Sequence, residues 1–205
     1  MRISHNGSVL VPQDAALARL MFEAARRAEA MGIVEPGAAR VEPSDIRQLA
    51  ARIRGAGIAT SAADILHNVD TPSREDVAAL LQLIIAALEA SPAPRHEWKG
   101  VSRVFPMEDL AALLGVSVSS LKRYQSGERD TPDAVAARLH FLALVVGDLA
   151  GSYNDTGIRR WFQRKRTQLD GRSPAALLKR DWDPDDEGPR LVRELARTLV
   201  TLSAT

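Results

Sequence analysis

Hydrophobic residues recur every three or four positions along most of the chain, and few segments alternate with a period of two. This spacing is typical of amphipathic helices, so the sequence predicts an all-α fold. The one strand that we predict is short and covers residues 8–11, before Pro12. Helices are predicted over residues 14–31, from Ser44 to a stop at Gly55, over residues 62–67 and over residues 74–90.

The helix over residues 74–90 is apolar around much of its circumference, and Ser73 is a suitable N-cap for it. A helix of this kind must be buried on more than one side, either in an intramolecular core or against a second copy of the chain. The sequence leaves both explanations open. Two prolines follow the helix, so we predict a linker over residues 92–104. It would separate an N-terminal helical region of unknown role, residues 1–91, from the rest.

Residues 105–138 have the pattern of a helix-turn-helix DNA-binding segment. Leu110 and Leu114 lie on one face of a first helix, and Gly115 supplies the left-handed residue that ends it. Ser117 is a good N-cap for a second helix, because its hydroxyl can accept a hydrogen bond from an unpaired backbone N–H. A two-helix unit of this kind presents the start of its second helix to the major groove.

Within that second helix, Leu121 and Tyr124 are predicted to face inward, which leaves the polar and basic residues facing out. Lysine and arginine side chains there could donate to phosphates or to guanine edges. The alternative is a plain helical hairpin whose basic side chains form only a solvated face. The residues predicted to bind DNA are Ser117, Val118, Ser119, Ser120, Lys122, Arg123, Gln125 and Arg129.

A further series of helices is predicted after this segment. Asp133 can begin a long apolar helix that ends at Gly151, and a shorter helix covers residues 158–164. Ser173 is predicted to cap a short helix with Pro174 at its first position. A last helix, over residues 190–202, carries leucines every three or four residues and needs either the core or a partner to cover them.

Residues 107 to about 200 resemble the Xre/MbcA/ParS-type antitoxins of bacterial toxin–antitoxin pairs. In that family a helix-turn-helix is followed by a helical toxin-binding domain with a tryptophan helix, a Leu-x-Gly-x-x-Pro turn and two leucines. The matching residues here, in the same order, are Trp161, Leu169, Gly171, Pro174, Leu177 and Leu178. The resemblance covers a little under half of the chain, and the first hundred residues have no counterpart in it.

The resemblance implies that residues 139–205 form a toxin-binding helical domain, and that the protein neutralises a cognate toxin and represses its own operon. In such pairs the toxin is often an enzyme that destroys NAD. The residues predicted on this basis to bind the toxin are Trp161, Phe162, Leu169, Gly171, Ser173, Pro174, Leu177, Leu178, Leu195 and Leu199.

Five basic residues surround Trp161 and Phe162 within residues 159–166. Basic side chains interleaved with aromatic rings can bind nucleic acid. A core tryptophan with solvated arginines is the interpretation that we favour, and the family pattern supports it. The chain differs from that pattern in having three consecutive basic residues, 164–166, so contact with DNA or with a toxin stays open there.

Composition limits the other classes of function. The net charge of +1 gives no overall basic field, so any contact with nucleic acid must come from a local patch. The chain has no cysteine, its four histidines are scattered, and it carries neither a P-loop nor a nucleophile elbow, so we expect no catalytic residue, no metal site and no cofactor. His140 lies inside an apolar helix and is predicted to be a hydrogen-bonded core or interface residue.

The N-terminal residues contain no apolar targeting segment, and the longest apolar run, residues 77–88, is too short to span a bilayer. We therefore expect a cytoplasmic protein with no membrane partner. The sequence favours an antitoxin that binds a toxin and operator DNA, as a homodimer because one short helix reads only a few base pairs. A free-standing dimeric helix-turn-helix regulator without a toxin is the alternative, with the N-terminal region as sensor or oligomerisation module. A scaffold protein with a vestigial helix-turn-helix is a third class.

Overall fold

A computed structural model describes residues 15–36, 43–68 and 73–202, and these ranges are helical with no strand. The predicted all-α fold is confirmed for them, whereas the predicted strand over residues 8–11 lies outside the described residues. The helices are α1 (Ala15–Ala30), α2 (Pro43–Gly55), α3 (Thr60–Asn68), α4 (Arg74–Ala90), α5 (Pro94–Val104), α6 (Met107–Leu114), α7 (Val118–Ser126), α8 (Asp133–Leu149), α9 (Asp155–Gln163), α10 (Pro174–Leu177) and α11 (Glu187–Leu202), with a 3-10 turn at Thr167–Leu169.

Polar caps set several of these boundaries. The Ser73 hydroxyl accepts a hydrogen bond from the Asp76 N–H at 3.1 Å, as predicted for the start of α4. Helix α9 begins three residues earlier than predicted, because Asn154 caps it by accepting a hydrogen bond from the Gly157 N–H at 2.9 Å. Helix α11 likewise starts at Glu187, ahead of the predicted residue 190.

The predicted linker over residues 92–104 is wrong, since most of it is helix α5. Pro94 occupies the first turn of α5, where a proline is tolerated because the N–H that it lacks would have no partner there. Trp98, Val101 and Val104 bury one face of the helix. The prolines therefore mark the start of a helix that belongs to the core.

Helix α8 lies at the centre of the described structure. Every residue from position 138 to position 149 is buried, and α8 packs against α1, α5 and α11. The buried apolar side chains form one contiguous cluster that extends from Leu17 in α1 to Ala196 in α11. The N-terminal helices and the C-terminal helices thus share a core.

Helix α4 buries its apolar stripe inside this core, against α1 and α3. An intramolecular core therefore accounts for most of its apolar surface, although Leu83 remains exposed. In the described ranges no single helix is long and apolar enough to cross a membrane. Helices α4 and α5 pass a test of length and composition only as a pair, and that pair is bent by 84°.

Ion pairs also join the N-terminal helices to α11. A single oxygen of Glu89 in α4, Oε1, accepts hydrogen bonds from Arg27 of α1 and Arg197 of α11 at 2.5 Å and from Arg193 of α11 at 3.1 Å. Arg193 also donates to Asp148 of α8 at 2.6 Å. We call these five residues the Glu89 cluster. Burial acts to raise the pKa of Glu89, but the charges of Arg27, Arg197 and Arg193 outweigh it and hold that pKa below its usual value.

Candidate nucleic-acid interface

Helices α6 and α7 form the helix-turn-helix that the sequence predicts. Gly115 has φ of 70°, in the left-handed region, and its N–H bonds back to the end of α6. The Ser117 hydroxyl then accepts a hydrogen bond from the Ser120 N–H at 3.1 Å and so caps α7. A glycine suits the first position because it has no side chain to strain at positive φ. The orientation of α7 is therefore fixed by local chemistry.

Helix α5 completes the unit by packing behind α7. Leu121 of α7 is fully buried, and Tyr124 stacks on Trp98 of α5 with ring centres 6.2 Å apart. The Trp98 indole N–H donates to the Thr131 hydroxyl at 2.9 Å. The Gln125 amide donates to Ser102 of α5 at 2.5 Å, so this predicted DNA contact is held by the protein itself. Sequence reasoning missed this packing because it assigned α5 to a linker.

The outer face of α7 brings together Ser119, Lys122 and Arg123, which are exposed. Their spacing of three and four residues places them on one side of the helix. Lys122 and Arg123 make no hydrogen bond or ion pair with any residue that the structure describes. The remaining predicted contacts surround this face: Ser117 and Arg129 are exposed, whereas Val118, Ser120 and Gln125 are half-buried.

A clamp from the C-terminal part of the chain secures the turn between α6 and α7. The indole N–H of Trp182 donates to the Leu113 carbonyl at 2.8 Å. The buried guanidinium of Arg138 donates to the Leu114 carbonyl at 3.0 Å and to the Trp182 carbonyl at 2.7 Å. These bonds satisfy carbonyls that the end of α6 leaves without helical partners. Sequence reasoning missed both residues, although an arginine within an apolar helix was an available signal.

The predicted toxin-binding residues divide between core and surface. Trp161, Phe162, Leu169, Pro174 and Leu178 are buried, so they cannot touch a partner without rearrangement of the core. Ser173, Leu177, Leu195 and Leu199 are half-buried, and Gly171 is exposed. The Ser173 hydroxyl caps α10, as predicted. The structure thus leaves five of these ten positions partly or fully accessible.

The basic residues around Trp161 have different environments. Arg159 donates to the Val104 carbonyl at 2.8 Å, and the guanidinium of Arg166 lies 4.8 Å from the centre of the Trp161 ring. Burial lowers the pKa of Arg166. The exposed side chains at positions 160, 164 and 165 have no hydrogen bond or ion pair to the described part of the protein. Only these three are placed to reach a partner freely.

His140 is the hydrogen-bonded core residue that the sequence predicts. Its two ring nitrogens lie 2.5 Å from Glu97 Oε1 and 2.9 Å from the Glu89 carbonyl. Among the described residues, no group of three or more histidine, aspartate or glutamate side chains is arranged to hold a metal ion. Neither protein-family models, nor curated proteins, nor solved structures give a match to this chain.

Proposed function

We propose that this protein binds operator DNA through the outer face of α7 and represses transcription. The observation that carries this proposal is the set of three polar side chains, Ser119, Lys122 and Arg123, on one exposed face of a rigidly held second helix. The two cations have no partner in the described protein, so their hydrogen-bonding capacity is free for phosphates or guanine edges.

Binding through so small a surface requires two copies of the chain. One short helix contacts only a few base pairs, whereas a symmetric dimer reads two half-sites about one helical turn apart. Because each phosphate contact releases a counterion, the logarithm of the binding constant should fall linearly with the logarithm of the salt concentration. The net charge of +1 makes this local patch the main source of that dependence.

We further propose that the protein is the antitoxin of a bacterial type II toxin–antitoxin pair. This rests on the resemblance of residues 107 to about 200 to the Xre/MbcA/ParS-type antitoxins. The accessible part of the toxin-binding set, which includes Gly171, Leu177, Leu195 and Leu199, would contribute to the contact. By the same resemblance the toxin would be an NAD-degrading enzyme.

A free-standing dimeric regulator is the second candidate, and one observation favours it. Helices α1 to α4 have no counterpart in the resemblance, yet they share the core with α8 and hold α11 through the Glu89 cluster. A region integrated in this way could transmit a signal to the helix-turn-helix without any toxin. Both candidates use the same DNA-binding face.

Gel-shift titrations with the promoter region of the chain's own operon test the DNA-binding face. The double variant Lys122→Ala/Arg123→Ala should lose specific binding, and its remaining affinity should have a salt slope reduced by about two, one unit for each lost phosphate contact. The matched control is Arg160→Ala/Arg164→Ala, which removes two exposed cations elsewhere. Loss of binding in the control alone, or an unchanged salt slope in the α7 variant, would mean that α7 is not the DNA-binding element.

Co-expression with the neighbouring open reading frame tests the antitoxin proposal. If the neighbour is toxic alone, co-purifies with this protein and is silenced by it, the antitoxin function stands. The α7 double variant should still neutralise the toxin, because the two surfaces are separate. Operator binding without a toxic or co-purifying neighbour would favour the free-standing regulator.

A further inference from the structure

A cleft of about 330 Å³ lies between α1, α5, the end of α8 and the start of α9. Its walls include apolar side chains such as Val146 and Ile158 and the charged side chains of Arg26 and Arg103. None of the residues predicted to bind DNA or a toxin lines it. The cleft therefore belongs to neither of the surfaces described above.

Arg26 is the unusual residue of this cleft. Its guanidinium lies 4.6 Å from the centre of the Phe22 ring and makes no hydrogen bond or ion pair with the described residues. Its Nε atom is shielded from solvent without a partner, and burial lowers the pKa of Arg26. Since arginine remains charged at any ordinary pH, a partly desolvated cation is held here without an anion.

Space for this guanidinium depends on Gly151, which follows α8. A Cβ atom at this position would overlap Nη1 of Arg26. Arg26 thus occupies a place that the chain leaves open to it. The guanidinium is positioned at the cleft by its ring contact and by the absence of a side chain opposite.

A second arginine with unused donors lines the same cleft. Arg103 of α5 donates through Nη2 to the Glu29 carbonyl at 2.9 Å. Its Nη1 atom is shielded from solvent and makes no hydrogen bond, and the nearest carboxylate oxygen, Glu35 Oε2, is 3.8 Å away. Two guanidinium groups therefore have donors to offer an anion, and arginine is well suited to bind carboxylate or phosphate groups.

Aromatic rings complete the cleft. Four large hydrophobic side chains are exposed in the described parts of the chain, and the two aromatic ones, Phe22 at 40% and Tyr153 at 37%, both line this cleft. Small-molecule sites combine apolar and aromatic walls with a few placed polar groups. The carboxylates of Glu29 and Asp155 also line the cleft and would repel a ligand with several negative charges.

We propose that this cleft binds a small molecule that carries one aromatic ring and one carboxylate or phosphate group. The anionic group would accept hydrogen bonds from Arg26 and Arg103, and the ring would lie against Phe22 and Tyr153. The site joins α1 to α5, and α5 packs behind α7, so an occupant would connect the N-terminal region to the helix-turn-helix. This inference does not depend on DNA binding or on a toxin.

Titration calorimetry of the full chain with phenyl phosphate and with benzoate tests the site. At least one of the two probes should bind saturably, and about tenfold or more tightly than inorganic phosphate or phenol, each of which supplies only half of the recognition. Arg26→Met should weaken the better probe by about 10- to 100-fold, as expected for the loss of a charge-assisted hydrogen bond. Arg74→Met, which removes an exposed arginine outside the cleft, should leave the affinity unchanged.

Gly151→Ala provides a second variant that retains every charge but displaces the Arg26 guanidinium, and it should weaken the same probe. Circular dichroism would establish that both variants are folded. Absence of saturable binding by both probes would overturn the proposal, as would equal affinities of the folded Arg26→Met variant and the unaltered protein. Equal affinity for inorganic phosphate and phenyl phosphate would overturn the assignment of the aromatic rings. Preference for phenyl phosphate or for benzoate identifies the anionic group.

Discussion

Replacing Glu89 with glutamine tests whether the N-terminal helices and α11 unfold as one unit. Oε1 of Glu89 accepts hydrogen bonds from three arginines, one in α1 and two in α11. Glutamine keeps the shape of the side chain and removes its charge. The substitution therefore removes the electrostatic attraction of the Glu89 cluster while leaving the apolar packing of α4 intact.

The expected cost follows from the burial of the partners. The side chains of Arg27 and Arg193 are 7% and 11% exposed, and that of Glu89 is 30% exposed. Removing one partner of a buried ion pair costs about 3–5 kcal/mol, whereas an exposed pair contributes about 1 kcal/mol or less. Glu89 lies between these limits, and Arg27 and Arg193 retain Glu23 and Asp148 as partners. We therefore expect Glu89→Gln to lower the free energy of unfolding by about 2 kcal/mol.

Urea unfolding followed by far-ultraviolet circular dichroism and by tryptophan fluorescence measures this cost. Dichroism reports on all helices, whereas the tryptophans lie only at positions 98, 161 and 182, so coincident transitions would show one cooperative unit. The control is Glu194→Gln, which neutralises an exposed glutamate of α11 and should cost less than about 0.5 kcal/mol. A cost for Glu89→Gln no larger than that of the control would refute the stabilising role of the cluster.

Three further outcomes are expected. Because the folded-state pKa of Glu89 is lowered, its stabilisation is present above the ordinary pKa of 4.5 and is lost as the pH falls through the lower folded value; the difference between the unaltered protein and Glu89→Gln in urea unfolding should therefore shrink below about pH 4.5. Ser117→Ala removes the cap of α7 and should lower the free energy of unfolding by about 1 kcal/mol, which a change in the urea midpoint would measure. Leu121→Ala empties a fully buried position and should cost about 2–5 kcal/mol by the same measurement, whereas Val118→Ala, at a half-buried position, should cost less.

The helix-turn-helix could be predicted because its determinants are local. Gly115 and Ser117 act within a few residues of their own positions, and the inward side of α7 follows from the spacing of Leu121 and Tyr124. Helical periodicity and capping residues likewise located most of the helices. The ends that were missed, such as the start of α9 at Asp155, depend on a capping asparagine that the sequence analysis did not consider.

The packing between distant segments could not be predicted in this way. Prolines before α5 indicated a break, but Trp98 finds Tyr124 and Thr131 only after the chain has folded. The clamp by Arg138 and Trp182 joins residues 44 positions apart. Neither pairing has a periodic or local signal, and both are needed to hold the DNA-binding face.

The burial of the family-pattern residues changes where a partner contact should be sought. Trp161, Leu169 and Leu178 are the residues by which the resemblance is seen, yet each lies in the core. A pattern built from buried residues identifies a scaffold, because core positions are constrained by packing whatever the partner. Selectivity for a toxin would then reside in accessible positions around them, such as Gly171 and Leu177. Substitutions at Trp161 would act through stability, whereas substitutions at Leu177 would affect binding at unchanged stability, and comparing the two separates scaffold from interface.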